Sequence, residues 1–235
     1  MSSGVRPLVI AHRGASADVP ENTALAFRTA REQGSDWVEL DVRLAADGAL
    51  IVNHDAWYRD GRTVWSTPLA EVPDDTLVLT GALEACRGMG VNVEIKNSDG
   101  DLADGPGGPA VVDATVDVLA ALPEDVRARI LVSSFDLPTI TRVKELDPGL
   151  QTGFLVFDLT HEPEAVAIAA DGGHEALHPW DPLVTDALLE DCHTRGLVVN
   201  TWTVDDPARW AELAAMGIDG IVTNTPGRLI AALAA

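Results

Sequence analysis

The feature of this sequence that most constrains its fold is an alternation of short apolar runs with amphipathic stretches, repeated eight times along 235 residues. Short apolar runs bounded by turn residues are typical of buried parallel strands, and apolar side chains three or four residues apart are typical of helices that pack on them. The strand-like runs are residues 8–11, 37–44, 91–95, 130–135, 152–157, 176–180, 198–204 and 220–223. The helical stretches are residues 23–33, 79–87, 110–122, 137–146, 163–170, 185–195, 207–216 and 226–234.

Eight β-then-α units in a chain of this length predict an α/β fold, the (β/α)8 TIM barrel. An open doubly wound sheet is the alternative that the same alternation allows. Residues 49–53 add one short strand, and residues 56–80 separate it from the third barrel strand. We therefore expect a single domain over residues 1–235, with a short insertion at about residues 56–80 after the second strand.

The formal net charge of −21 and the isoelectric point of about 4.4 limit the partners of the chain. A surface this acidic is not expected to hold nucleic acid or an anionic membrane. An anionic small-molecule substrate must instead meet a local positive site, formed by a metal ion or a few placed cations.

The compartment is predicted from the cysteines and the N-terminus. Cys86 and Cys192 lie far apart without metal-type spacing, which suits a reducing compartment. The first strand begins within about seven residues of Met1, which leaves no room for a signal peptide, and no apolar run reaches transmembrane length. We expect a cytoplasmic protein without stable membrane association, and the oligomeric state stays open.

Acidic side chains mark the second and third barrel strands. In a TIM barrel the reactive groups come from the C-terminal ends of the strands and from the loops that follow them. Glu39 and Asp41 in VELDV are two residues apart, so they share one face of a strand, and Glu94 in VEIK shares a face with Lys96 in the same way. Three carboxylates inside a barrel need cationic compensation, which a hard divalent ion with oxygen ligands supplies. The alternative for each acid is a structural salt bridge to Arg13, Arg43 or Lys96.

Histidines follow the first strand and the extra strand. His12 comes directly after the first apolar run, and His54 follows the extra strand in NHD. Two histidines at one rim are typical of an acid and a base around one reacting centre, whereas a lone histidine is more often an ordinary core or surface group. Arg13 and Lys96, beside a metal ion, supply the positive charge that suits a phosphate.

Two further residues are candidates for substrate contact. Glu21 returns toward the same rim from the loop after the first strand, although ENT also fits a helix N-terminus with Asn22 as its cap. Trp202 in NTWTV offers an apolar wall at the end of the seventh strand, although core packing is the default role of a tryptophan. Two positions stay open for His178: the rim of the barrel, or the residue before a turn at Pro179. The histidines expected at the surface are His161, His174 and His193.

These pieces occur in an order that resembles one known family. The motifs are AHRG, ENT, VELDV, NHD, VEIK, SSF, TWTV and MGIDGIVTNTP, and the resemblance extends from Ile10 to Pro226. Each piece alone is a weak signal, but together they resemble the glycerophosphodiester phosphodiesterase family. The resemblance implies a TIM barrel that hydrolyses glycerophosphodiesters to sn-glycerol 3-phosphate and an alcohol.

The resemblance also implies roles for the residues at matching positions. His12 and His54 match the acid–base pair. Arg13 and Lys96 match the positions that contact the phosphate. The residues that match the ligands of one divalent cation, Mg²⁺ or Ca²⁺, are Glu39, Asp41 and Glu94. The implied mechanism is attack on phosphorus by a neighbouring hydroxyl of the substrate, which forms a cyclic phosphate that water then opens.

The chain departs from the family pattern near these motifs. Asp205 stands where the family usually has asparagine, and Asn224 stands where aspartate is usual. The catalytic and metal positions are intact, so these changes bear on substrate preference. Two alternative functions are kept: a phospholipase D-like activity on lysophospholipids, which needs an apolar entrance, and a non-catalytic barrel that binds phosphorylated polyols.

Overall fold

The computed structural model describes residues 6–97, 108–160 and 164–234, and the predicted alternation is present in them. The strands are β1 (Leu8–His12), β2 (Trp37–Leu44), β3 (Leu50–Val52), β4 (Leu77–Val78), β5 (Gly90–Ile95), β6 (Ile130–Ser134), β7 (Gln151–Val156), β8 (Ala176–Pro179), β9 (Val198–Thr201) and β10 (Gly220–Thr223). The helices are α1 (Ala24–Glu32), α2 (Leu79–Ala85), α3 (Pro109–Ala120), α4 (Glu124–Arg127), α5 (Leu137–Leu146), α6 (Ala165–Asp171), α7 (Asp186–Thr194), α8 (Pro207–Met216) and α9 (Pro226–Leu233). Among the described residues, none of the helices combines the length and the apolar character that crossing a bilayer requires.

Eight of the strands form a closed parallel barrel. Their order is β1-β10-β9-β8-β7-β6-β5-β2, and β1 also pairs with β2, so the ring closes. At this closure Ala11 lies opposite Thr223 of β10, and His12 lies opposite Glu39 of β2. The (β/α)8 barrel is therefore confirmed, and the open doubly wound sheet is excluded because β1 is paired on both sides.

Two short antiparallel strands extend β2 beyond the barrel and form the insertion. Val42 of β2 pairs with Val52 of β3, and Ile51 of β3 pairs with Val78 of β4. A small apolar core lies under this extension and consists of Ala45, Ile51, Tyr58 and Val64. The extra strand predicted at residues 49–53 is β3, whereas β4 is only two residues long and carries no alternation that a sequence pattern can show.

Packing of the strands against the helices fixes which side chains face the barrel interior. Val38, Leu40 and Val42 of β2 are buried in an apolar cluster that also contains Phe27 of α1. Because successive side chains of a strand point to opposite faces, the residues between them point into the barrel. The apolar outer face of β2 therefore directs its acidic residues inward.

The helix ends follow capping signals in the sequence. At the start of α1 the N–H of Ala26 donates to the hydroxyl of Thr23, so Thr23 is the cap and the prediction of Asn22 as the cap is wrong. Asp206 caps α8, which ends at Gly217 in the left-handed region with a φ of 85°. Thr23 and Asp206 lie in strand-to-helix loops, which stand at the C-terminal mouth of a parallel barrel.

Candidate active site

The predicted site residues meet at the C-terminal mouth of the barrel, around a cavity of about 310 Å³. The predicted site residues that line it are His12, Arg13, Glu39, His54, Glu94, Lys96 and Trp202. Asp41 and Glu21 join the group through ion pairs with its cations. Since this end of a TIM barrel carries the catalytic loops, the cavity is the candidate active site.

Three carboxylates form the floor of the site. Glu39 and Asp41 lie on β2, and Glu94 lies directly opposite Asp41 on the neighbouring β5. All three are buried, with exposed fractions of 3%, 1% and 8%. One oxygen from each lies within 4.8 Å of the other two. Carboxylate oxygens in this number and spacing are the ligands that hard divalent cations prefer, so the donor set fits such an ion.

Two cations partly neutralise this cluster. The Nζ of Lys96 lies 3.1 Å from Oδ1 of Asp41 and 2.5 Å from Oε1 of Glu94. The backbone N–H of Arg13 donates to Oε2 of Glu39 at 3.0 Å, and its Nε lies 3.3 Å from Oδ2 of Asp41. The salt-bridge alternative is therefore present in the structure, but two positive side chains face three carboxylates.

The pKa shifts follow from this imbalance. Burial, together with the charges of Asp41 and Glu94, raises the pKa of Glu39 well above its usual value. Burial also opposes ionisation of Asp41, but the positive charges of Lys96 and Arg13 outweigh it and hold the pKa of that carboxyl below its usual range. Within the described residues, Oε1 of Glu39 is buried and accepts no hydrogen bond. An oxygen in that condition is suited to a bound cation.

His12 stands above Glu39 at the rim of the cavity. Its Nε2 lies 4.0 Å from Oε2 of Glu39, and its Nδ1 lies 2.7 Å from Oδ1 of Asn224. Burial, assisted by the nearby charge of Arg13, lowers the pKa of His12 to about 4. This shift favours the neutral imidazole.

His54 lines the same cavity from the loop after β3. Its Nδ1 lies 2.8 Å from Oδ1 of Asp55, and its carbonyl oxygen accepts from Nε and Nη2 of Arg43 at 3.0 and 2.6 Å. These contacts fix both the ring and the backbone of His54. Two histidines, one at the end of β1 and one in the loop after β3, thus face one cavity, as the sequence predicts.

Comparisons with known proteins identify the family of the chain. A model of the glycerophosphoryl diester phosphodiesterase family matches residues 12–228. The chain belongs to this family. A glycerophosphodiester phosphodiesterase from Caldanaerobacter subterraneus subsp. tengcongensis is 32% identical over 96% of this chain and 97% of its own length.

Solved structures of related proteins share the fold. An Oleispira antarctica phosphodiesterase, solved in complex with the product sn-glycerol-3-phosphate, has a TM-score of 0.84 and 28% identity to this chain and covers 98% of both chains. A glycerophosphodiester phosphodiesterase structure from Galdieria sulphuraria has a TM-score of 0.87 over the whole of both chains, and at 19% identity it supports the fold alone. By homology, this member of the glycerophosphoryl diester phosphodiesterase family is an enzyme.

In this phosphodiesterase the loop between β1 and α1 is bent so that it reaches the acidic cluster. Arg13 and Asn22 have φ angles of 57° and 56°, in the left-handed region that side chains other than glycine rarely adopt. Asn22 then donates from Nδ2 to Oδ2 of Asp41 at 2.8 Å. The Nη1 of Arg13 donates to both carboxylate oxygens of Glu21, at 3.0 and 3.1 Å. Glu21 therefore orients Arg13. Asn22 supports the acidic cluster, a role that the prediction of Asn22 as a helix cap did not include.

Trp202 lies one residue beyond β9 and forms part of an aromatic wall. Its ring lies edge-on to Phe135 at 5.3 Å between centroids, and 6.2 Å from Phe157. Phe157 in turn stacks on Trp180 at 4.7 Å. The predicted apolar wall is present on one side of the cavity, and it is wider than Trp202 alone.

The other histidines take mixed positions. His178 points into the barrel, where its Nε2 lies 3.1 Å from Nδ2 of Asn200 and burial lowers its pKa to about 4. His174 was expected at the surface, but it is buried and its Nδ1 lies 2.8 Å from the hydroxyl of Thr152. His193 is exposed as expected, and His161 lies outside the described residues.

Proposed function

We propose that the enzyme uses one divalent cation, Mg²⁺ or Ca²⁺, to hydrolyse glycerophosphodiesters to sn-glycerol 3-phosphate and an alcohol. The observation that carries the proposal is a buried cluster of three carboxylates. Its negative charge exceeds the positive charge of its two cationic neighbours, and it shares one cavity with two histidines. The proposed ligands of the cation are Glu39, Asp41 and Glu94. When bound, the cation supplies Lewis-acid stabilisation of the charge on the phosphate oxygens.

The cationic side chains are proposed to bind the phosphate. Lys96 presents an ammonium group at the floor of the cavity, and Arg13 presents a guanidinium at its rim, held by Glu21. A planar guanidinium can hold two phosphate oxygens, whereas an ammonium acts as a point charge. Trp202 supports the carbon skeleton of the substrate through its apolar ring face.

His12 and His54 are proposed as the acid–base pair. One histidine removes the proton from the glycerol hydroxyl next to the phosphodiester, and that oxygen attacks phosphorus. The other histidine protonates the alcohol oxygen as its bond to phosphorus breaks. The resulting five-membered cyclic phosphate is opened by water, with the two proton transfers reversed. The products are sn-glycerol 3-phosphate and the free alcohol.

Two features support the choice of substrate and location. The Oleispira antarctica relative is in complex with sn-glycerol-3-phosphate, which is the product proposed here. Cys86 and Cys192 are buried and unpaired, which suits a cytoplasmic enzyme. The substrate is therefore proposed as a small soluble diester that meets the enzyme in the cytoplasm.

The test is hydrolysis of glycerophosphocholine with and without a chelator. We expect activity that EDTA abolishes and that Mg²⁺ or Ca²⁺ restores. Glu39→Ala and Glu94→Ala should remove the metal-dependent rate while the circular dichroism spectrum is kept. Glu145→Ala is the matched control, because Glu145 is an exposed partner of Arg142 on α5. Near-normal turnover of either site variant would contradict the metal assignment.

Phospholipase D-like cleavage of lysophospholipids is a second candidate, favoured by one observation. Phe157 is 55% exposed and stacks on Trp180, which is 37% exposed, at the edge of the cavity. An acyl chain could lie on this aromatic surface. Comparison of glycerophosphocholine with 1-acyl lysophosphatidylcholine distinguishes the two substrates. If the acyl substrate is the true one, Phe157→Ala should lower kcat/KM for it alone.

A further inference from the structure

A chain of hydrogen bonds links the end of β1 to the loops that follow β9 and β10. Asn224 follows β10, and its Nδ2 donates to Oδ2 of Asp205, after β9, at 2.6 Å. The Oδ1 of Asn224 faces Nδ1 of His12, the last residue of β1, at 2.7 Å. None of these contacts involves the three proposed metal ligands.

The acceptors in this chain fix the direction of its hydrogen bonds. The Oδ1 of Asp205 accepts from the hydroxyl of Thr223 at 2.7 Å and from the backbone N–H of Asn224 at 2.8 Å. A carboxylate only accepts, so the amide NH₂ of Asn224 must face Asp205 and its oxygen must face His12. The hydroxyl of Ser16 also donates to that oxygen, at 2.9 Å. In its neutral form, the imidazole of His12 then carries its proton on Nδ1, where it faces an acceptor.

We propose that Asp205 and Asn224 are positioning residues that hold His12 in the Nδ1–H tautomer, so that Nε2 enters the cavity as a proton acceptor. The inference rests on the proposed phosphodiesterase reaction and deepens it. His12 is then the base that removes the proton from the attacking glycerol hydroxyl, and His54 is the acid that protonates the departing alcohol. The bond to Asn224 also holds the ring plane, so the lone pair on Nε2 points at the substrate in every turnover.

Asp205→Asn tests this direction. The new amide at position 205 still accepts from Thr223 and from the backbone N–H of Asn224 through its oxygen. Its NH₂ then meets the NH₂ of Asn224, and two donors in contact force the Asn224 amide to rotate. The rotated amide presents NH₂ to Nδ1 of His12 and moves the ring proton to Nε2. The variant therefore keeps His12 in place, but Nε2 carries the proton and no longer accepts one from the substrate.

The exchange variant Asp205→Asn/Asn224→Asp restores the pattern. The carboxylate at position 224 accepts from Nδ1–H of His12 and from the new amide at position 205, so every bond of the chain has a donor and an acceptor again. Asn224→Asp alone places two carboxylates in contact and should be impaired. Asp206→Asn is the matched control, because Asp206 is the exposed cap of α8 in the same loop.

The experiment measures glycerophosphocholine hydrolysis and the His12 tautomer in the four variants. The tautomer is read by ¹⁵N–¹H correlation of the imidazole in the metal-free protein at pH 7.5. We expect Asp205→Asn to lower kcat by about 10², the usual contribution of a positioned base, with KM within about threefold and the proton on Nε2. The exchange variant should have a kcat at least tenfold above that of Asp205→Asn and should show the Nδ1–H signal again. Asp206→Asn should match the wild type.

Separate outcomes overturn the inference and the proposed function. The inference fails if Asp205→Asn keeps the Nδ1–H tautomer, or if the exchange variant is no more active than Asp205→Asn. The proposed function fails if the wild-type protein does not hydrolyse the diester at all. In that case the tautomer signals still report whether Asp205 and Asn224 control His12.

Discussion

Glu39→Gln should stabilise the metal-free protein, although it removes a proposed metal ligand. In the folded chain Oε1 of Glu39 is buried without a hydrogen-bond partner among the described residues, and two other carboxylates lie nearby. Glutamine keeps the acceptor for the backbone N–H of Arg13 and places an NH₂ toward Asp41 and Glu94. A buried acceptor left without a partner costs about 1–3 kcal/mol, so the variant should gain about that much at pH 8. For a chain of this length each kcal/mol corresponds to roughly 2–4 °C in Tm.

The size of the effect should depend on pH, with a sign set by the raised pKa of Glu39. Below the unfolded pKa of about 4.3, Glu39 is protonated in both states and the penalty is absent. As the pH rises, the unfolded chain loses this proton first, so the folded state binds more protons and loses stability. The advantage of Glu39→Gln should grow from about pH 4.3 to the raised folded pKa and then stay constant.

The assay is thermal unfolding of EDTA-treated protein over a pH series, followed by addition of Mg²⁺ or Ca²⁺. A cation at 100 times its Kd stabilises the wild type by about 2.7 kcal/mol, and Glu39→Gln should lose most of that gain. Glu145→Gln, on the exposed face of α5, is the control and should change neither quantity. The reasoning is refuted if metal-free Glu39→Gln is no more stable than wild type at pH 8, or if the cation stabilises both proteins equally.

Three further results are expected. His12→Ala and His54→Ala should each lower kcat by on the order of 10² or more, and the double variant should lose much less than the product, which steady-state kinetics measures; fully multiplicative losses would show separate roles. Lys96→Met should destabilise the metal-free protein by about 3–5 kcal/mol in urea unfolding, because it leaves two buried carboxylates without their ammonium partner, and an unchanged midpoint would contradict this. Gly14→Ala should lower the free energy of unfolding clearly more than Gly48→Ala in the same assay. Both glycines have positive φ, but of the two only Gly14 would bring a Cβ within 2.6 Å of Ala26. Equal losses would mean that this contact is unimportant. Gly48→Ala should lower the free energy of unfolding by about 1–2 kcal/mol, because alanine disfavours the left-handed backbone conformation.

Much of the fold and of the acidic cluster could be predicted from periodicity. The eight apolar runs become the eight barrel strands because a parallel strand must be apolar where it meets a helix. The spacing of Glu39 and Asp41 puts both inside the barrel, and the pairing of β2 with β5 brings Glu94 to them. The single domain over residues 1–235 stays a prediction.

The remaining parts depend on geometry that no local pattern carries. Asn22 supports Asp41 because a residue in the left-handed region turns the loop inward, whereas the sequence suggested a helix cap. His174 lies in a glycine-rich loop that reads as surface, yet the fold buries it against Thr152. Asn224 could be noticed as a departure from the family pattern, but its contact with His12 exists only when the barrel is closed.

Closure of the barrel also sets the order in which the enzyme is completed during its synthesis. His12 and Asn224 are 212 residues apart, so their hydrogen bond joins the end of the first strand to the residue that follows the last. A nascent chain that has not yet reached Gly220 already contains all three acidic residues, but β1 lacks its neighbour on one side. Contacts of such long range form late, because the intervening chain must be ordered first. The growing polypeptide therefore contains all three proposed metal ligands well before β10 and Asn224 are present to form the proposed contact that orients His12.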